Sequence, residues 1–342
     1  MFKMLRPAIL GGAAISAALI VSGVVNAETI KLETYAGPKH SMNTKAWPTW
    51  IKWVEQESGG KLKVRMTYPP INPRDLLDRV RKGITDVAWI THGYTTGRFV
   101  FTDMVELPGL NGNAEQMSRA YWRVYNKRAL SFKEHKGVIL LALFSHGPGM
   151  LHTRKPVDSI SVIKGLKVRT GGGTQAAIAK RLGIVTVSAP ATKAHEILSR
   201  GVADGIFFSI ETIWSFRLGD AVKYHYAYPG GLYAASFAAI INKRAFGRLS
   251  KANQAALMRA SGERMSAMIG SVWDGADSAA VKGLKGKGNT VTAFSAKTAS
   301  EIRSRLAGLD AEWIGRAKKA GLQDPAAVLK ELRDEVKKIK GK

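Results

Sequence analysis

The chain has 342 residues, 45% of them hydrophobic, which is enough to bury large cores and to make two lobes. It contains no cysteine, which excludes disulfides, a thiolate nucleophile and any thiolate metal site. Its net charge of +26 would suit nucleic acid or an acidic membrane surface, yet Lys and Arg are spread along the whole chain apart from a modest tail at Lys337-Lys338-Ile339-Lys340; a solvated basic surface and no nucleic-acid partner are expected.

Residues 1–27 have the order of an export signal. Lys3 and Arg6 are a positive start, Ile9 to Val25 is apolar and rich in small residues, and Val25-Asn26-Ala27 is a cleavage site. The alternative is an uncleaved anchor, which the small residues at the site disfavour. Cleavage after Ala27 would leave Glu28 first and lower the charge from +26 to +24. No later stretch is long and apolar enough to span a membrane, so no stable membrane insertion is expected.

From Thr29 the pattern alternates strands and helices. Thr29 to Tyr35 is a strand. Trp47, Trp50, Ile51 and Val54 follow at helical spacing, up to Gly59-Gly60. Leu62, Val64 and Met66 alternate with Lys61, Lys63 and Arg65, as in a half-buried strand. Asp75 to Lys82 is helical, Asp86 to Ile90 a strand, and residues 114–132 a helix with Met117, Ala120, Tyr121 and Val124 inward. Val138 to Phe144 is continuously apolar, the pattern of a parallel strand buried on both faces. A second α/β set starts at Leu151: strands at 166–169, 184–187 and 205–210, with a helix over 192–200. Phe237 to Asn242 is another apolar strand. One long helix is expected from about Ser250 to Lys285, with Met265, Met268, Ile269, Val272 and Trp273 as its stripe; at ~1.5 Å per residue it would run roughly 50 Å. Two more helices close the chain, the second capped by Asp324 with Pro325 at its first position.

The stretch Gly165-Leu166-Lys167-Val168-Arg169-Thr170-Gly171-Gly172-Gly173-Thr174 carries the chemistry. An arginine at the end of a buried strand is costly to dehydrate unless something anionic meets it. Its planar fork matches a carboxylate with two hydrogen bonds. The glycines allow close approach, and a helix start behind them offers free N–H groups. Arg169 is therefore either the anchor of an organic anion or half of an internal ion pair. A rival is a dinucleotide loop: Gly171, Gly173 and Ala176 fit G-x-G-x-x-A, with Glu196 twenty residues on. The mid-chain position and the export signal weigh against it, and no cofactor is expected.

Taken together, Gly165-Leu166-Lys167-Val168-Arg169, Arg200-Gly201-Val202-Ala203-Asp204-Gly205, and Ser236-Phe237 leading to Ile241-Asn242-Lys243 resemble the solute-binding subunit of tripartite ATP-independent periplasmic (TRAP) transporters over nearly the whole mature chain. Tyr94-Thr95-Thr96-Gly97-Arg98-Phe99 with Glu106-Leu107-Pro108, and Gly147-Pro148-Gly149 with His152-Thr153-Arg154-Lys155-Pro156, resemble the branch for aromatic and keto-type monocarboxylates. The resemblance implies an α/β fold, a two-lobed periplasmic binding protein with β-strand crossovers and a long helix spanning both lobes. It places residues 28–147 with 235–275 in the first lobe and 148–234 with 276–342 in the second, after the signal at 1–27. The implied partners are a small carboxylate and the small and large TRAP membrane subunits, with the protein a monomer.

The resemblance also makes Arg169 the carboxylate-binding arginine. Many relatives have a second basic residue near Gly149 or Met150; here neither is basic, which disfavours a dicarboxylate or a strongly charged sugar acid. In the suspected branch histidines fall at Met150 and His152, and only His152 is present. The cleft-lining segment falls on Phe207, Phe208, Ser209 and Ile210. Sialic-acid-type relatives have asparagine where Phe208 stands, and a phenylalanine would offer a flat apolar wall. Of Phe207 and Phe208 one must be core if this strand alternates. Thr170, Tyr94, His40 in Gly37-Pro38-Lys39-His40-Ser41, and Tyr233 after Gly230-Gly231 complete the candidates. Catalysis finds little support: the histidines lack metal-ligand spacing, no G-x-S-x-G elbow occurs, and neither a catalytic residue nor a metal site is expected. An exported carboxylate-processing enzyme and an exported ligand sensor are the alternatives. Turnover of the bound ligand would mark the enzyme, and neighbouring genes for one small and one large membrane subunit would mark transport rather than sensing.

Overall fold

Two β-sheets set the architecture of the computed structural model, which describes residues 27–95, 97–129 and 132–341. Residues 1–26 of the expected export signal lie outside the described residues. Strands β1 (Glu28–Glu33), β2 (Leu62–Thr67), β3 (Val87–Thr91), β4 (Val138–Ser145) and β10 (Ser236–Asn242) form the first sheet, in the order β2-β1-β3-β10-β4. Strands β5 (Met150–Thr153), β6 (Lys167–Thr170), β7 (Val185–Ser188), β8 (Gly205–Phe208), β9 (Tyr224–Ala227) and β11 (Thr290–Ala293) form the second, in the order β11-β9-β5-β8-β6-β7. This is the two-lobed α/β fold that the resemblance implied.

Helix α1 (Trp47–Glu57) buries Trp47, Trp50 and Val54, as the spacing predicts. Helix α2 (Leu76–Lys82) buries Leu76, Leu77 and Val80. Helix α3 (Ala114–Arg128) opens with a capping box, in which Asn113 and Gln116 exchange side-chain-to-backbone bonds. Helices α4 (Thr174–Arg181) and α5 (Ile210–Ser215) follow β6 and β8 in the second lobe.

Three differences from the sequence expectation matter. The long helix is two: α6 (Lys251–Arg259) and α7 (Gly262–Gly286). The chain breaks at Gly262, which takes a φ of 71°. The 25 residues of α7 span roughly 38 Å rather than 50 Å, which still reaches from α3 and β4 to α5 and β11. Second, β4 pairs only with β10, antiparallel, and lies at the sheet edge. Its apolar run reflects the packing of α3 and α7 on it rather than parallel pairing. Third, residues 276–342 divide. β11 and α8 (Ala296–Leu306) sit with the second sheet, whereas α10 (Pro325–Lys340) packs on α3 in the first lobe. Helix α9 (Leu309–Lys319) joins the two: Arg181 meets Glu312 at 2.6 Å, while Trp313 donates to Val100 O at 2.8 Å. An amphipathic helix pattern says that one face is buried, not which lobe buries it.

Candidate functional site

Strand register brings Arg169 and Phe208 to one face. Arg169 on β6 is aligned with Ile206 on β8, and Phe208 lies two residues further along that strand. Side chains alternate, so Phe207 points to the opposite face and is core. Arg169 is 1% exposed. Its Nε and Nη2 donate to Ala189 O at 2.9 and 2.5 Å, its Nη1 lies 3.5 Å from Phe207 O, and its Cζ lies 4.5 Å from the Phe208 ring centre. Among the described residues all its bonds go to neutral oxygens, so the internal ion pair left open by the sequence is not formed. The inner edge of the guanidinium is tied to the main chain, and the outer edge faces a cavity between the lobes. A buried cation without a counter-ion is costly, and a bound anion removes that cost.

Donors collect around this edge. Tyr94, just past β3, reaches across the cleft, and its hydroxyl oxygen accepts from Ala191 N at 2.9 Å and lies 3.5 Å from Arg169 Nη2. Its own hydrogen has no acceptor among the described residues. Gln175 on α4 accepts from Gly171 N through Oε1 at 2.8 Å, which leaves its Nε2 to donate elsewhere. The helix start behind the glycines offers fewer free N–H groups than expected. Gly171 N goes to Gln175, and Thr174 N donates to Glu106 Oε2 at 3.4 Å.

Glu106 is the acceptor at this end. Its Oε1 takes Ser236 N at 3.1 Å in the first lobe, so the carboxyl bridges the two lobes. Burial, with Asp103 nearby, pushes Glu106 up to about 8. At neutral pH it therefore carries a proton and adds little negative charge to the cavity.

The rest of the wall is aromatic. Phe237 and Trp273 stack at 5.4 Å, Trp89 lies 5.3 Å from Phe237, and Tyr35 stacks on Trp89 at 4.5 Å. The two histidines here are satisfied internally. His146 donates from Nδ1 to Gly147 O and accepts Ala235 N at Nε2, so it is neutral; burial holds it down at about 4. His40 accepts Met42 N at Nδ1 and turns Nε2 toward Glu211, 3.5 Å away across the cleft. These aromatic faces and Arg169 line one and the same cavity.

Of the candidates from sequence, Arg169, Phe208, Tyr94 and His40 line this cavity. The others do not. His152 is buried inside the second lobe, 2.8 Å from His225 Nδ1 and 3.1 Å from Phe208 O. Ser209 is buried and bonded to Thr212, and Ile210 begins α5 inside the core. Met150 packs in the same core, beside Phe208 on the neighbouring strand. The Thr170 Oγ1 and the Tyr233 hydroxyl are buried without a partner among the described residues, and neither residue lines the cavity. Sequence reasoning missed Glu106, Gln175, Trp89, Phe237 and Trp273 as wall residues. In sequence Trp273 belongs to an apolar helical stripe and Phe237 to an apolar strand, and no local pattern separates core from cavity wall.

The profile of the bacterial extracellular solute-binding protein family 7 matches residues 32–314. A TRAP periplasmic solute-binding protein of Bordetella bronchiseptica, solved with (R)- and (S)-mandelate, is 36% identical, with a TM-score of 0.88 over 91% of this chain and 99% of that one. A TRAP solute-binding protein of Rhodoferax ferrireducens with copurified benzoate is 29% identical, with a TM-score of 0.85 over 92% and 98%. A marine-metagenome TRAP solute-binding protein specific for aromatic acids, solved with 3-hydroxybenzoate, is 29% identical, with a TM-score of 0.85 over 92% and 99%.

Proposed function

Because the chain belongs to the bacterial extracellular solute-binding protein family 7, the solute-binding proteins of TRAP transporters, we propose that its ligand is a monocarboxylate built on one aromatic ring and held at Arg169. The family is one of transport proteins, not enzymes; its members work in the periplasm, take a small carboxylate and deliver it to the TRAP membrane subunits. No helix among the described residues is long and apolar enough to cross a membrane. The observation that carries the ligand reading is a buried arginine without a carboxylate partner among the described residues, facing an aromatic-walled cavity. The mandelate, benzoate and 3-hydroxybenzoate of the related structures have the same make-up. Mass spectrometry of what copurifies, followed by titration calorimetry with benzoate and mandelate, tests it. Binding of aliphatic dicarboxylates with neither aryl acid bound would overturn it.

Ligand is expected to close the lobes. Bonds that span the cleft include Tyr94 to Ala191, Glu106 to Thr174, Ser41 to Glu211 and Arg74 to Ser188. An anion at Arg169 adds a tie between the same walls. Small-angle scattering should give a smaller radius of gyration with saturating benzoate or mandelate; an unchanged curve counts against closure.

Affinity should also depend on pH with a definite sign. A bound anion raises the Glu106 pKa further, so the complex holds more protons than the free protein. Affinity is then flat below about pH 7 and falls above about 8, toward tenfold per unit. Asp277 on α7 is also pushed up to about 8 by burial, so Glu106→Gln is the control. That variant should bind with no such fall, and a fall that persists would assign the effect elsewhere.

The signal at residues 1–27 is read as cleaved after Ala27, with Lys3 and Arg6 ahead of the apolar segment as support. N-terminal sequencing of exported protein should begin Glu28-Thr29-Ile30, and a product retaining Met1 would refute cleavage.

A further inference from the structure

We propose that Glu106 and Gln175 form an acceptor–donor pair for a hydroxyl on the carbon next to the ligand's carboxylate, so that the site prefers 2-hydroxy aryl acids to aryl acids with hydrogen there. The inference rests on the aryl-monocarboxylate reading of the cavity and adds to it the group that the site selects. A hydroxyl gives one hydrogen and accepts others. It needs an acceptor and a donor side by side, near the carboxylate but not on it.

The polar end of the cavity supplies both. Each Glu106 oxygen takes one backbone N–H, Ser236 N or Thr174 N, and in the protonated carboxyl the carbonyl oxygen keeps a lone pair with which to accept. The Gln175 amide is oriented by Gly171 N donating to its oxygen, and its Nε2 finds no acceptor among the described residues. Both side chains border the glycine turn after β6. A Cβ on Gly173 would lie 3.2 Å from Glu106 Oε2, and one on Gly171 would lie 3.4 Å from Gln175 Nε2 and 3.6 Å from Tyr94 Cε1. Tyr94 in turn lies 3.5 Å from Arg169 Nη2. The acceptor, the second donor and the carboxylate clamp are therefore neighbours.

The opposite end has nothing comparable. Both ring nitrogens of His146 are engaged by Gly147 O and Ala235 N. His40 is engaged by Met42 N and faces Glu211. Thr212 Oγ1 bonds Ser209 and Glu211. A hydroxyl at that end would meet engaged groups and aromatic faces. A hydroxyl beside the carboxylate meets the unfilled ones.

The test compares mandelate with phenylacetate, which differ only in that hydroxyl, by titration calorimetry on the mature protein. The unaltered protein should bind mandelate roughly 10–100-fold more tightly, the usual penalty for leaving buried polar groups unpaired. Gln175→Met and Glu106→Met should each reduce that ratio toward one, mainly by weakening mandelate. A merely structural role would weaken both ligands alike and leave the ratio unchanged, so the ratio is the readout even where Glu106→Met lowers stability. Equal, tight binding of both acids by the unaltered protein would overturn the hydroxyl pair and leave the aryl-acid reading intact. A preference that survives both substitutions would overturn the assignment to these residues. Failure of mandelate, phenylacetate and benzoate alike to bind would overturn the aryl-acid reading itself.

Discussion

Arg169→Ala is expected to weaken aryl-monocarboxylate binding by about 3–5 kcal/mol, roughly two to four decades in Kd. The loss is large because the ligand's carboxylate would enter a buried, largely apolar cavity and find no cation. Tyr94 and Gln175 would remain as neutral donors, each a modest contributor. The ligand-free protein should respond differently. Removing the side chain forfeits the two bonds to Ala189 O, but it also removes a buried charge that no described carboxylate pairs. These oppose one another, so the ligand-free melting temperature should change little. Arg169→Lys keeps a charge but cannot both grip Ala189 O and present a fork, so it should recover only part of the affinity. Calorimetry and thermal unfolding on both variants separate the roles. Normal binding by Arg169→Ala with a much lower melting temperature would make Arg169 a structural residue and remove the basis of the site.

Gly270→Ala is expected to destabilise the fold by roughly 2–4 kcal/mol, against the usual direction of that change in a helix. Gly270 on α7 lies against the start of α3. A Cβ there would fall 2.5 Å from Glu115 Cα and 2.6 Å from Ala114 O, both main chain that cannot swing aside. One turn on, Asp274 accepts Ala114 N at 2.7 Å and Glu115 N at 3.0 Å, so α7 caps α3 from outside. Pushing the helices apart strains that cap as well. A Cβ on Gly275, on the same helix, would meet nothing within 4 Å. Gly275→Ala should be neutral or stabilising by about 0.5–1 kcal/mol, as propensity alone predicts. Denaturant unfolding of the two variants would show opposite shifts. Equal shifts would mean that the close approach of α7 to α3 does not govern stability.

Much of this molecule is legible in its sequence. Alternation in Leu62–Met66, helical spacing in Trp47–Val54 and the apolar run of β10 report burial directly, because each element must hide one face or two. Arg169 stands out for the same kind of reason: a cation at the end of a buried strand is an exception that needs an explanation. The motif order is enough to imply two lobes and the family.

Which buried residues meet a cavity rather than one another was decided by the tertiary structure alone. Trp89, Phe237 and Trp273 come from β3, β10 and α7, and they line one wall only because sheet order and the crossing of α7 bring them together. In sequence each is an apolar residue at a buried position, which is equally true of Trp47 in the core. His152 shows the converse. The resemblance makes it a candidate, but His225 and a main-chain carbonyl satisfy it inside the lobe. Glu106 was visible only as part of a short motif. Its role depends on Ser236 and Thr174, whose N–H groups arrive from different lobes. Periodicity is set by the chain's own geometry and can be read locally. The partner of a buried face or a polar group is set by packing between distant segments, and only the folded chain determines it.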